Sequence, residues 1–271
     1  MSLDYNSVIQ KVVNTYAPGS IALALTGSFA RGTPSPHSDL DIIRYVTAAE
    51  LSSMSPYQLL IIDEQLVSLS QTCIESITVD LHQPRRFFLV KPSLEQCIIL
   101  YDPNRQLECL VNTAKNLDWS NLGELSRSTI SSSLAGFVEE VTKLLTGLHE
   151  SQPWTCLYAI EEVLFELSEL MIIYHQAYLQ SENQFFLVPQ QVAGIESNWS
   201  KNFRSASGVL AASTDIDIVT HRSRAALSLY VETCRIMHSA IIDTDRLVTD
   251  WGLKLIQDYL AFNTESTILQ A

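Results

Sequence analysis

The alternation of apolar and polar positions changes texture once along the chain. Between Ile21 and Pro103 the apolar runs are short: Ile21–Leu25, Leu40–Val46, Gln58–Ile62, Leu66–Ser70 and Cys97–Tyr101. Gly, Pro, Asp and Ser bound them, which predicts strands. Gln58–Ile62 and Leu66–Ser70 face each other across Asp63-Glu64-Gln65 and predict a hairpin. Beyond Asp118 the period lengthens. Leu122–Leu148, Pro153–Gln180 and Asp217–Ile242 carry apolar residues at helical spacing, with Pro153 where a first helical turn accepts proline. The intervening Ser181–Gly208 is polar, aromatic and irregular, and predicts a long loop. The opening MSLDYNSVIQKVV predicts an amphipathic helix. Together these describe an α+β protein: a small mixed-sheet domain over residues 1–118 and an all-α helical bundle over 119–271.

Composition narrows the partners more than the fold. A length of 271 residues suits two domains, and 46% apolar with 17% charged residues supplies real cores. The 17 Lys+Arg against 30 Asp+Glu leave a net charge of −13. A protein this acidic does not grip a nucleic-acid backbone along a broad surface, so no template is expected. A small neutral or cationic partner, or one held through metal ions, suits it better. The 5 cysteines never form Cys-x-x-Cys, which excludes a zinc knuckle and a disulfide framework. The 6 histidines lack ligand spacing. No run approaches a membrane span, and Asp4 and Lys11 do not suit a signal peptide, so the expected location is cytoplasmic.

The chemistry is concentrated in Leu25-Thr26-Gly27-Ser28-Phe29-Ala30-Arg31-Gly32, followed by Ser38-Asp39-Leu40-Asp41-Ile42. A strand runs into a Gly-Ser turn, and a second strand then begins with two aspartates at i and i+2. Gly27 lets the backbone turn sharply and come close to an anion. If Ser28 opens a helix, its hydroxyl and the free N–H groups behind it form a phosphate cradle. Residues i and i+2 of a strand share a face, so Asp39 and Asp41 can hold the same Mg²⁺ pair while Leu40 and Ile42 anchor the other side. Magnesium takes its remaining ligands from phosphate and water, so these parts would bind a nucleoside triphosphate.

The stretch Gly27–Ile42 resembles the signature of the DNA polymerase β-like nucleotidyltransferase superfamily. The layout, with Ile98-Ile99-Leu100-Tyr101-Asp102-Pro103 closing the first domain, is similar to the kanamycin nucleotidyltransferase-like branch. That resemblance implies a mixed-sheet nucleotidyltransferase domain followed by an antiparallel helical bundle, with the active site in the cleft between them. It implies transfer of an NMP group from Mg-bound NTP, with ATP the first candidate, to an acceptor hydroxyl, releasing pyrophosphate. Gly27 and Ser28 would contact the triphosphate and Asp39 and Asp41 the metals. Arg31 would face a phosphate or brace the loop against a carboxylate. By analogy a homodimer is allowed.

The superfamily also implies a third carboxylate on a later strand. Two registers compete here. In one, Ile77-Thr78-Val79-Asp80-Leu81 is that strand and Asp80 a metal ligand. In the other, favoured by the hairpin, Ser68 stands at the carboxylate position while Ile74, Ile77 and Leu81 form one face of a short helix. In the helical half, Glu139 and Lys143 are adjacent at i, i+4. The plain reading is a surface ion pair. The resemblance implies that Glu139 takes the acceptor's proton and Lys143 meets a phosphate, with Glu140 the alternative inward carboxylate. Glu162, Glu166 and Glu169 form a solvated stripe or line a cleft for a cationic acceptor, Arg222 and Arg224 form an ordinary helix surface or meet an acidic partner, and Trp154, Trp199 and Trp251 read as core or interface packing. Three functions remain open: a nucleotidyltransferase acting on a small molecule, with a cationic acceptor as one possibility, a weakened nucleotide-binding protein, and a partner-regulated nucleotidyltransferase that modifies proteins.

Overall fold

The computed structural model describes residues 5–209 and 218–268. The chain divides into two compact units, one comprising Met1–Leu122 with Tyr178–Glu182 and the other Gly123–Ala177 with Asn183–Ala271. The fold is α+β.

The first unit runs α1 (Tyr5–Tyr16), β1 (Ala22–Leu25), α2 (Gly27–Ala30), β2 (Leu40–Tyr45), α3 (Ala48–Leu51), β3 (Tyr57–Ile62), β4 (Gln65–Thr72), α4 (Ile74–Asp80), α5 (Pro84–Gln96), β5 (Ile98–Tyr101) and α6 (Gln106–Asn116). Its sheet has the order β3-β4-β2-β1-β5. The β2–β4 pair is parallel, and the β1–β2, β1–β5 and β3–β4 pairs are antiparallel. Alternation assigns the faces. Leu23, Leu25, Leu40, Ile42, Val67 and Leu69 form one buried cluster with Val8 and Val12 of α1. Burying each such side chain contributes about 1.5–3 kcal/mol. Asp41 of β2 and Ser68 of β4, each one residue out of step with that set, project to the opposite face. The predicted hairpin is present, and Asp63 and Glu64 close it at φ 50° and 64°. At the edge, Tyr57, Leu59 and Ile61 of β3 are exposed. Asp102 accepts bonds from the Gln106 and Glu108 amides at 2.9 and 2.8 Å, capping α6.

The second unit contains α7 (Gly123–Gly136), α8 (Val138–His149), α9 (Pro153–Tyr174), α10 (Val188–Ala193), α11 (Asn198–Ser207), α12 (Ile218–Ile236) and α13 (Asp243–Ile268). The centre is α9, whose Ala159, Ile160, Val163, Leu167, Leu170 and Met171 are fully buried. Two glycines permit close helix approach: a Cβ on Gly147 would lie 2.7 Å from Cys156 Sγ, and one on Gly252 would lie 2.7 Å from Val138 Cγ2. Buried polar groups pair between helices, as in Trp199 Nε1 to Thr233 Oγ1 at 2.9 Å and Tyr230 Oη to the Leu134 carbonyl at 2.7 Å.

Several expectations change here. The single helix over Leu122–Leu148 is broken at Phe137 into α7 and α8. Helical bonds continue through the break, from Phe137 N to Ser133 O and Val141 N to Phe137 O, so the apolar period gives no warning of it. The loop over Ser181–Gly208 contains α10 and α11. Helix α13 has no counterpart in the pattern. Trp199 is buried, but Trp154 and Trp251 are 81% and 51% exposed. Arg222 meets an acidic residue of its own unit, Glu161, at 2.8 Å. Among the described residues every cysteine is free, and no helix is long and apolar enough to cross a membrane.

Candidate functional site

The site is assembled where β1 ends and β2 begins. The Thr26 amide donates to the Asp41 carbonyl at 2.8 Å, tying the strand ends together. Gly27 then turns at φ +66°. A Cβ there would fall 1.9 Å from Asp41 Oδ2, so glycine is required twice, for the turn and for the carboxylate that lies against it. Ser28 lies inside the short α2, and its hydroxyl has no hydrogen-bond partner among the described residues. The approach to β2 is also fixed. The buried Gln65 amide donates to the Ser38 carbonyl at 3.0 Å and the Leu66 carbonyl at 2.9 Å, which sets the position of the next residue, Asp39.

Asp39 and Asp41 therefore lie on the face opposite Leu40 and Ile42, and both are partly buried. Burial, first, and the charge of Asp39, second, push the Asp41 carboxyl up to about 6; Arg31 opposes this and Glu182 adds to it. Neither aspartate has an ion-pair partner among the described residues. Arg31 Nη1 donates to the Gln180 carbonyl at 2.8 Å, so this guanidinium braces the backbone while its charge acts on Asp41.

Ser68 pairs with Asp41 in the parallel register of β2 and β4, and its hydroxyl donates to Tyr57 Oη at 3.3 Å. The strand register for Asp80 is not found. Asp80 is the last residue of α4, with Arg86 Nε 3.5 Å away, because Ile74–Asp80 is helical. Among the described residues no three His, Cys, Asp or Glu side chains are grouped to hold a metal ion. The oxygens of Asp39 and Asp41, the Ser68 hydroxyl in register beside Asp41, and a backbone turn free of Cβ would suit Mg²⁺. That ion uses one or two carboxylates and takes the rest from phosphate and water.

Glu139 and Lys143 belong to α8 in the second unit. Lys143 Nζ lies 2.6 Å from Glu140 Oε1 and 3.0 Å from Glu139 Oε1. Hydrogen bonds to Glu140 and then Glu139 hold the ammonium far above the ordinary lysine range. The Glu139 side chain is 73% exposed and that of Glu140 13%, so Glu140 is the inward carboxylate, with its Oε2 buried and without a hydrogen-bond partner among the described residues. Two contributors were invisible in the pattern. Glu182 and Gln180 reach the Gly27 turn from about 150 residues away, and no local spacing signals that.

Residues 7–96 match the family model described as a nucleotidyltransferase domain. A nucleotidyltransferase-like protein from Exiguobacterium sibiricum superposes with a TM-score of 0.53 at 13% identity, covering 92% of this chain and 78% of that one. At that identity the likeness speaks for the fold. No curated protein matches the chain in sequence.

Proposed function

With a nucleotidyltransferase domain at residues 7–96 as the premise, we propose that this protein moves an NMP group from an Mg-bound NTP, ATP first among them, to a hydroxyl of a small-molecule acceptor. The observation that carries this reading is the clasp between Gly27 and Asp41, with a second carboxylate two residues back along the strand. The acceptor oxygen would attack the α-phosphorus, the bond to the pyrophosphate oxygen would break, and the acceptor's proton would pass to a base. Asp39 and Asp41 would hold the metal, which lowers the cost of charge gathering on the phosphoryl oxygens. Gly27 would let the triphosphate approach the backbone, and the unpartnered Ser28 hydroxyl would bond to it. By motif, Glu139 is the proposed base and Lys143 the proposed phosphate contact. The charge of −13 supports a cationic acceptor and no template.

Ser68 beside Asp41 favours a second reading, a nucleotide-binding protein with weakened turnover. Calorimetry with Mg²⁺ and ATP, together with pyrophosphate release, separates the two. Binding that disappears in the Asp39→Asn/Asp41→Asn protein, with release once an acceptor is present, supports transfer. Metal-dependent binding without release across an acceptor panel supports the second reading. Binding that survives in the double variant overturns the assignment of the aspartates.

A further inference from the structure

Residues 178–182 follow α9 and precede α10 in the chain, yet they pack as part of the first unit. This strap is anchored along its length. Leu179 is 1% exposed, and its amide donates to the Phe88 carbonyl at 2.8 Å. The Tyr178 ring lies 5.9 Å from those of Phe87 and Trp119, with Lys91 Nζ 5.9 Å from its centroid. Gln180 is held twice: its carbonyl accepts from Arg31, and its side-chain oxygen accepts from the Gln96 amide. Fixing a backbone residue costs about 1–2 kcal/mol of conformational entropy. A strap held at three successive residues is a built feature.

Its last residue, Glu182, is exposed and has no ion-pair partner among the described residues. Its charge reaches Asp41, together with that of Asp39 and against that of Arg31. On the sheet, the register position beside Asp41 holds the neutral hydroxyl of Ser68, 6% exposed. The strand therefore carries no carboxylate at that register position, and Glu182 follows two residues after the carbonyl that holds Arg31.

We propose that the strap is a working part of the nucleotide site, with Gln180 orienting Arg31 and Glu182 contributing beside Asp41 the negative charge that Ser68 does not. This rests on the nucleotidyl-transfer reading above. Among the described residues three carboxylates are not grouped for direct ligation, so Glu182 acts on a bound ion through its water shell. Arg31 is a positioning residue here. One N–H is committed to Gln180, which leaves the rest of the guanidinium for Asp41 or a phosphate.

The test uses the full chain, with Mn²⁺ and ATP as probes, followed by calorimetry and by the electron paramagnetic resonance of free Mn²⁺. Glu182→Gln is expected to weaken Mn²⁺·ATP binding about five- to tenfold, and adding Ser68→Asp is expected to recover most of it. Glu75→Gln, an exposed change on α4, is expected to behave as wild type. Arg31→Ala combined with Glu182→Gln is expected to cost less than the product of the single effects. Unchanged binding in Glu182→Gln, with binding lost in Asp39→Asn, overturns the proposal and leaves the transfer reading standing. Loss that Ser68→Asp does not recover reduces Glu182 to a structural role and also overturns it. Multiplicative effects of Arg31 and Glu182 overturn the strap's hold on Arg31. No metal-dependent ATP binding in the wild type removes the transfer reading and the proposal with it.

Discussion

Two acidic clusters in this protein contain similar residues and differ in how their charges are met. On α8, Glu139 and Glu140 flank Lys143 at 3.0 and 2.6 Å, and a cation on the same helix meets one oxygen of each, leaving Glu140 Oε2 without a partner among the described residues. At the Gly27 turn, Asp39 and Asp41 have no ion-pair partner among the described residues, and burial and mutual repulsion raise Asp41 to about 6. The first arrangement is what any helix surface can form. The second is costly for the fold alone and would be relieved by a dication. Unrelieved charge held by backbone register is therefore a better marker of function than the number of carboxylates.

The largest expected effect comes from filling the space between the turn and the carboxylate. Gly27→Ala places a methyl group 1.9 Å from Asp41 Oδ2 at a φ of +66°. It should cost about 1–3 kcal/mol of stability by urea unfolding and remove metal-dependent ATP binding. Wild-type binding in that variant would show that the clasp is incidental.

Next is Asp41→Asn. A carboxyl raised from 3.8 to about 6 binds protons more readily in the folded protein. Stability therefore falls as pH rises from about 4 through 6, and the full cost persists above. The asparagine variant should lose that slope and melt higher than wild type in metal-free buffer at pH 7.5, while transfer disappears. Mg²⁺ should raise the wild-type melting temperature more at pH 7.5 than at pH 5. An equal gain at both would break the contrast between the clusters.

The smallest effect on the fold belongs to the α8 cluster. Glu139→Gln should shift the melting temperature by no more than about 1 °C and leave ATP binding unchanged, while turnover falls about 10²–10⁴-fold if this residue is the base. Unchanged turnover would leave Glu139–Lys143 an ordinary surface pair.

The Gly-Ser turn, the paired aspartates and the Ser68 hairpin were legible because each depends on neighbours within a few residues. Alternation in Gln58–Ser70 fixes the faces, and the parallel pairing with β2 follows once the strands meet. Helix α13 was not legible. Its polar stretch and its Gly252 weaken the periodic signal, and the glycine has meaning only against Val138. Size predicts burial only on average, so the core half of the tryptophan reading holds for Trp199 and not for the 81% exposed Trp154. Glu182 had no local signal, since its relation to Asp41 depends on the strap's course through the fold.

That course also bears on how the protein is made. The first unit is discontinuous in sequence, so its last piece leaves the ribosome only with residues 178–182. At about 5–20 residues per second, the nascent sheet waits several seconds after residue 122 with Arg31 unmet and the surfaces around Phe88 open. A fragment cut at 122 would remain in that waiting state.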